Sequence, residues 1–286
     1  MFFIKQISYN PYMPYLSRFK YEFFIPSLVN LSSLQNYVIC FFTLYLLTKF
    51  IIYIIIYKEN LITKGEHMAK VRDLVSGLTH CIAAGLSIAG LVVLIVFAAI
   101  WGDAWDVVSF TIFGVALVLL YTFSTLYHWL NISEKGIRIF KKFDHIMIYI
   151  LIAASYTPVC LGPLRGPWGW SIFGVVWGIA VLGTILTAVW INAPRWLTTS
   201  LYIAMGWLVV IATYPLIKVF KEANLFYSLW WLLIGGIFYT IGGIIYGIKK
   251  PKNKIFGFGF HEIFHVFVML GSACQYWFIL HYVIQI

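Results

Sequence analysis

Charge is what this chain of 286 residues has least of: Asp, Glu, Lys and Arg make up 10% of it, against roughly 25% in a soluble domain. Together with 62% hydrophobic and 19% aromatic residues, that scarcity excludes a soluble globular protein. Cysteine is scarce as well. Cys40, Cys81, Cys160 and Cys274 all lie in apolar runs, where a thiol behaves as a small buried hydrophobe, and no C-x-x-C spacing offers a metal or redox pair. No disulfide framework is implied. Acidic residues number 10 against 20 basic ones, a formal charge of +10. The basic residues cluster in short stretches between apolar segments, which marks membrane orientation rather than nucleic-acid binding, and no nucleic-acid partner is expected.

What the chain has in abundance is apolar runs of the length that a hydrocarbon core of ~30 Å demands of a spanning helix. Hydropathy windows of about 19 residues place spans near Tyr37 to Tyr57, Thr79 to Ile100, Val107 to Leu130, Asp144 to Leu161, Trp168 to Trp190, Trp196 to Ile217, Tyr227 to Ile248 and His261 to Tyr282. The last seven follow one another through short loops, and Trp and Tyr mark their edges as interfacial anchors do. The expectation is an all-α integral membrane protein: a seven-helix bundle over residues 68–286, preceded by an extension, 1–67, with one further apolar segment.

Lys and Arg alternate by loop. One side of the seven spans holds thirteen, among them Lys135, Arg138, Lys141, Lys142 and Lys249 to Lys254; the other holds only Arg165, Lys218 and Lys221. The positive-inside rule then puts the segment before Thr79 in the cytoplasm and the C-terminus outside the cell membrane. Residues 1–67 fit less well, since a further span would place the basic tail of Lys5, Arg18 and Lys20 outside. Their apolar stretch starts too late for a signal peptide and has no small-residue cleavage site after it. Lys64-Gly65-Glu66-His67, just before Met68, back-translates to a purine-rich ribosome-binding sequence. Two readings of the extension stand: a reading frame extended upstream of a natural start at Met68, or a genuine extra helix.

Ionisable side chains within spans cost ~2.5–3.5 kcal/mol on insertion scales, so each is a functional-site candidate. His80 opens the Thr79 span; Ser124 and His128 lie where the Val107 span returns; Asp144 and His145 open the next; His261, Glu262 and His265 open the last. Topology alone brings these groups to one leaflet, the cytoplasmic one. His261 and His265 are i,i+4, which puts both imidazoles on one helix face with Cβ atoms ~5–6 Å apart, and Ser124 and His128 repeat the relation. If His128 faces the other pair, three neutral imidazoles can hold Zn²⁺ and leave a fourth tetrahedral position for water, which zinc makes acidic near pH ~7. Asp144 is then the acceptor that orients that water or acts as general base.

Plainer roles compete. A lone membrane histidine is more often a hydrogen-bonded packing residue, and His67, His145 and His281 are read as that; Ser124 alone would serve as a helix–helix donor. His261-Glu262-Ile263-Phe264-His265 is also a literal H-E-x-x-H, the zincin pattern with a glutamate base. Such zincins usually take a further acidic ligand downstream. Glu262 is the last acidic residue of this chain, so a third ligand must come from upstream, which favours His128 over a metalloprotease.

These residues resemble the hemolysin III branch of the progestin and adipoQ receptor (PAQR) family. The resemblance rests on Thr79-His80, on Ser124 to His128 as the family's S-x-x-x-H, on Asp144-His145 followed by Ser155-Tyr156-Thr157-Pro158, and on His261 to His265 with Gly271-Ser272. It covers about residues 69–286. It implies a seven-helix bundle with its N-terminus inside, zinc on His128, His261 and His265, and Asp144 and Ser124 beside the zinc-bound water, as in the related adiponectin receptors and alkaline ceramidases. Where the family commonly has E-x-x-N before T-H, this chain has Asp73 and Ser76.

The function expected first is a zinc-dependent hydrolase, amidase- or ceramidase-like, that cleaves an amide or ester bond of a membrane lipid, with Asp144 as proton acceptor and Ser124 as orienter. A second class is a cytolysin, as the family's name says, although so apolar a chain is a poor candidate for release into water. A third is a non-catalytic sensor with zinc in a structural role.

Overall fold

In a computed structural model of the protein, the described residues are 72–253, 255 and 258–286. The expected segment Tyr37 to Tyr57, and His67 with it, lies outside them. All of the regular structure among the described residues is helical: α1 (Leu74–Trp101), α2 (Ala104–Trp129), α3 (Glu134–Leu161), α4 (Pro167–Val189), α5 (Arg195–Gly206), α6 (Thr213–Glu222), α7 (Leu229–Ile248) and α8 (Phe260–His281), with a 3-10 segment at Trp207–Ala212 and short 3-10 turns at Phe226–Ser228 and Val283–Gln285. α5, the 3-10 segment and α6 together form one span, so the described chain has seven helices long and apolar enough to cross a membrane. The seven-helix bundle expected from the sequence is the fold found.

Local chemistry sets the helix ends. Asp103 caps α2 through hydrogen bonds from the backbone N–H groups of Trp105 and Asp106 at 2.7 and 3.1 Å. Ser133 caps α3 by accepting from Gly136 N. α4 begins with Pro167 at its first position, after Gly166 at φ 147, a conformation open to glycine. The fifth span breaks because Pro215 has no N–H to give to the carbonyl one turn back. Tyr156 covers the break from α3: its hydroxyl accepts from Val209 N at 2.9 Å and lies 2.6 Å from the Gly206 carbonyl oxygen, to which it donates.

Short connections make consecutive helices antiparallel neighbours: α1 packs on α2, α2 on α3, α3 on α4, α5 on α7, and α7 on α8, while α8 also packs along α1. Outward faces are apolar, as at Leu182 and Val189 on α4, which suits a lipid solvent. Inward faces carry the polar groups. Close helix approach comes from small residues: a Cβ on Gly77 of α1 would stand 2.0 Å from the Trp129 ring of α2.

Two helix starts differ from the hydropathy windows. α3 begins at Glu134, not Asp144, and α1 at Leu74, not Thr79. In α3, helical hydrogen bonding runs on through charged residues such as Lys135, Arg138 and Lys141 that a hydropathy window stops short of; in α1 it takes in Leu74 to Leu78, a little over one further turn. Asp144 therefore sits in the third turn of α3, not its first, and His80 in the second turn of α1.

Candidate metal centre

Alternation of the helices brings the start of α1, the end of α2, the start of α3 and the start of α8 to one end of the bundle. His128, His261 and His265 meet there, each with a ring nitrogen within 4.8 Å of the other two. Their ring centroids are 4.9 Å (His128–His261), 5.2 Å (His128–His265) and 4.5 Å (His261–His265) apart. His128 and His265 are each 2% exposed.

Partners on the far side of the rings decide which nitrogen faces inward. Thr79 donates its single hydroxyl hydrogen to the Ser76 carbonyl oxygen at 2.8 Å, and so can only accept from His265 Nδ1, 3.3 Å away. That fixes the proton on Nδ1 and leaves Nε2 bare. Asp73 Oδ2, 3.3 Å from His128 Nδ1, does the same for His128. His128 Nε2 then faces His261 Nε2 at 3.1 Å. Two nitrogens on one tetrahedral Zn²⁺, with Zn–N ≈ 2.0–2.1 Å, stand about 3.3 Å apart, so the separation suits a shared ion. Outer-ring partners of this kind are what metal-bound histidines ordinarily carry. The residues present fit a three-imidazole metal site.

Asp144 and Ser124 stand beside this cluster rather than in it. Both line a cavity of about 450 Å³ that is also walled by His80, His261 and His265. Asp144 Oδ2 is 3.6 Å from His145 Nδ1, which itself donates to the Lys141 carbonyl oxygen at 2.8 Å. His145 Nε2 lies 3.4 Å from the Tyr246 hydroxyl, outside the three-histidine group, in keeping with a packing role. Glu262 accepts from Gly259 N at 2.9 Å and from the Ser76 hydroxyl at 3.3 Å, so one oxygen caps the start of α8 and the other ties it to α1. A general base of the zincin kind needs a carboxylate free to face water.

Three residues of the site were not given roles by sequence reasoning: Asp73 and Thr79 as partners of the outer nitrogens, and His80, whose ring stacks on His265 with centroids 3.6 Å apart. The signal lay in the Thr79-His80 block, but its geometry depends on how α1 is rotated against α2 and α8.

Comparisons with known proteins place the chain in a family. A family model described as haemolysin-III related matches residues 68–276. The chain is 42% identical over 215 residues to the hemolysin-3 homolog of Bacillus subtilis (strain 168), covering 75% of this chain and 95% of that protein. It is 39% identical over 213 residues to hemolysin-3 of Bacillus cereus, 74% of this chain and 92% of the relative. The human monocyte to macrophage differentiation factor is 28% identical over 188 residues, 63% of this chain and 72% of its own length. With the seven-helix bundle and its histidines in place, the chain belongs to the haemolysin III-related branch of the progestin and adipoQ receptor family.

Proposed function

We propose that the protein is a zinc-dependent hydrolase of a membrane lipid, acting on an amide or ester bond. The observation that carries this is the pair of inward nitrogens on His128 and His261, 3.1 Å apart, with the outer nitrogens of His128 and His265 held by Asp73 and Thr79. When bound, Zn²⁺ supplies Lewis acidity to a carbonyl oxygen and makes water acidic enough to deprotonate near neutral pH. His128, His261 and His265 hold the ion. Asp144, on the cavity wall, receives the proton from water at its carboxylate, and the Ser124 hydroxyl oxygen orients that water by accepting from it. The cavity continues past apolar side chains of α3, the fifth span and α7, such as Ile152, Val210 and Leu233, which suit an acyl tail. With the charge asymmetry of the loops taken as orientation, the site opens at the cytoplasmic leaflet, α1 starts from the cytoplasmic side and the C-terminus is outside.

Protein purified in detergent is expected to carry about one zinc per chain, lost on His128→Ala, His261→Ala or His265→Ala. Asp144→Asn keeps the zinc and abolishes turnover of a lipid panel. Zinc-replete wild-type protein that turns over no lipid would favour a non-catalytic zinc-containing sensor.

The names of the bacterial relatives support a second reading, cytolysis. Lysis of erythrocytes by purified protein added from outside, unaffected by the three histidine substitutions, is the result that favours it.

A further inference from the structure

The three-histidine cluster leaves a fourth imidazole unused. His80 is 3% exposed, and neither of its ring nitrogens has a hydrogen-bond partner among the described residues. Ser124, one turn before His128 on α2, is 1% exposed, and its hydroxyl is also unpartnered. Both face the cavity beside the candidate metal centre. Buried polar atoms are nearly always paired, and leaving one alone is costly. Other buried polar groups of α1 and α2 obey this: Thr79 donates to the Ser76 carbonyl oxygen, Thr125 to the Tyr121 carbonyl oxygen and Tyr121 to the Ser272 hydroxyl.

The ring of His80 is held from two sides. It stacks on His265 with 12° between the planes, and meets Tyr121 edge-on at 5.0 Å. Its nitrogen edge is therefore set by packing. Nor is it placed as a fourth metal ligand: the group of mutually close donor atoms leaves it out, and imidazoles stacked face to face send their lone pairs along parallel lines that do not converge on one ion. A neutral imidazole offers one N–H and a hydroxyl one O–H. Two such donors, both without a partner on the wall of one cavity beside the three histidines, are complementary to a carbonyl oxygen.

We propose that His80 and Ser124 form a carbonyl-binding site, donating through a ring N–H and the hydroxyl to the carbonyl oxygen of an acyl ligand whose tail lies in the cavity. The site deepens the lipid-hydrolase reading, on which it rests for the identity of the ligand: it names the residues that hold the acyl carbonyl beside the three histidines.

The test uses 2-nonadecanone with a ¹³C carbonyl, a long-chain ketone that no hydrolase can cleave, added to the purified full-length protein in detergent. In the wild type the infrared carbonyl band is expected at lower wavenumber than that of the ketone in detergent alone. His80→Phe and Ser124→Ala each move the band back and weaken ketone binding about 3- to 10-fold, as loss of one hydrogen bond does. His80→Gln, which keeps an N–H donor, retains part of the shift. Zinc content stays at the wild-type level in all three. Loss of zinc from a folded His80 variant overturns the proposal, because His80 is then a ligand; so does an unshifted band in the wild type, or a shift that none of the substitutions alters. Should His80→Phe fail to fold, Ser124→Ala and His80→Gln decide. A shifted ketone on protein that purifies without zinc refutes the metal reading and leaves the carbonyl site standing, whereas zinc-replete protein with an unshifted ketone does the reverse.

Discussion

Asp73 meets His128 twice: its backbone N–H donates to the His128 carbonyl oxygen at 3.0 Å, and its carboxylate lies 3.3 Å from the ring Nδ1. The first contact joins the entry of α1 to the exit of α2. The second turns the bare Nε2 of His128 toward His261. One residue thus sets both where the imidazole stands and which nitrogen it presents.

Asp73→Asn is expected to separate these roles. The backbone contact survives, and the carboxylate is 52% exposed, so thermal stability should change little. Loss of an outer-ring partner typically lowers metal affinity about 10–100-fold. Zinc titration against a competing chelator measures the difference; an unchanged affinity would show that the carboxylate does not orient the ring.

Thr79 is a stricter case because its hydroxyl is buried between two partners, 2.8 Å from the Ser76 oxygen and 3.3 Å from His265 Nδ1. Thr79→Val keeps the shape and strands His265 Nδ1, while the Ser76 carbonyl oxygen keeps its helical partner. A stability loss of about 1–3 kcal/mol follows from an unpaired buried group, together with weaker zinc binding, while Thr79→Ser restores both. Thermal unfolding with and without added zinc tells the two effects apart. A Val variant as stable as wild type would mean that the bundle relaxes to pair this nitrogen elsewhere.

The inner half of this site was legible in the sequence and the outer half was not. His261 and His265, like Ser124 and His128, are related by helical period, so spacing alone puts each pair on a face, and counting spans puts both pairs at one end of the bundle. Asp73, Thr79 and His80 lie on a different helix from the histidines they touch. Their contacts depend on the rotation of α1, which close packing at Gly77 against Trp129 helps to fix, and no periodicity encodes that. Asp144 illustrates the same boundary: a hydropathy window reads it as a span opener, while the helix that carries it starts at Glu134.

At the opposite end of the bundle Asp103 caps α2 and accepts from Arg165 Nη1 at 2.9 Å. Burial pushes its carboxyl up, but the Arg165 hydrogen bond and the N–H groups of Asp106 and Trp105 outweigh it and hold it below the ordinary value. A depressed folded-state value means stability that is present above the usual carboxylate range, ~3.9 for Asp, and lost as pH falls through the folded value. Arg165 and Asp103 are both about a third exposed, so solvent screening keeps the contribution of the ion pair to stability modest. Asp103→Ala should cost about 0.5–2 kcal/mol at neutral pH, and the gap between variant and wild type should close as pH falls through the folded-state value of Asp103. Unfolding temperatures taken across pH 2–7, roughly the range over which a carboxylate titrates, give both; a gap that persists undiminished in acid would assign the loss to packing instead.

The break in the fifth span supplies the last expectation. Where Trp207–Ala212 leaves the α-helical ladder for 3-10 turns, any backbone group that loses its partner costs several kcal/mol in a membrane. The Tyr156 hydroxyl takes the Val209 N–H and gives to the Gly206 oxygen, so a single side-chain oxygen from α3 repairs the break on both sides. Tyr156→Phe removes that oxygen and little else. The Val209 amide should then exchange with solvent deuterium faster than in the wild type, and stability should fall by about 1–3 kcal/mol, with amides of α8 unaffected because the repair is local. Trp207, Val209 and Val210 also wall the cavity, so the same substitution should loosen the grip on a long-chain ligand without altering zinc content. Equal exchange at Val209 in the two proteins would show that this segment finds another acceptor for its N–H and that Tyr156 is not what holds the break closed.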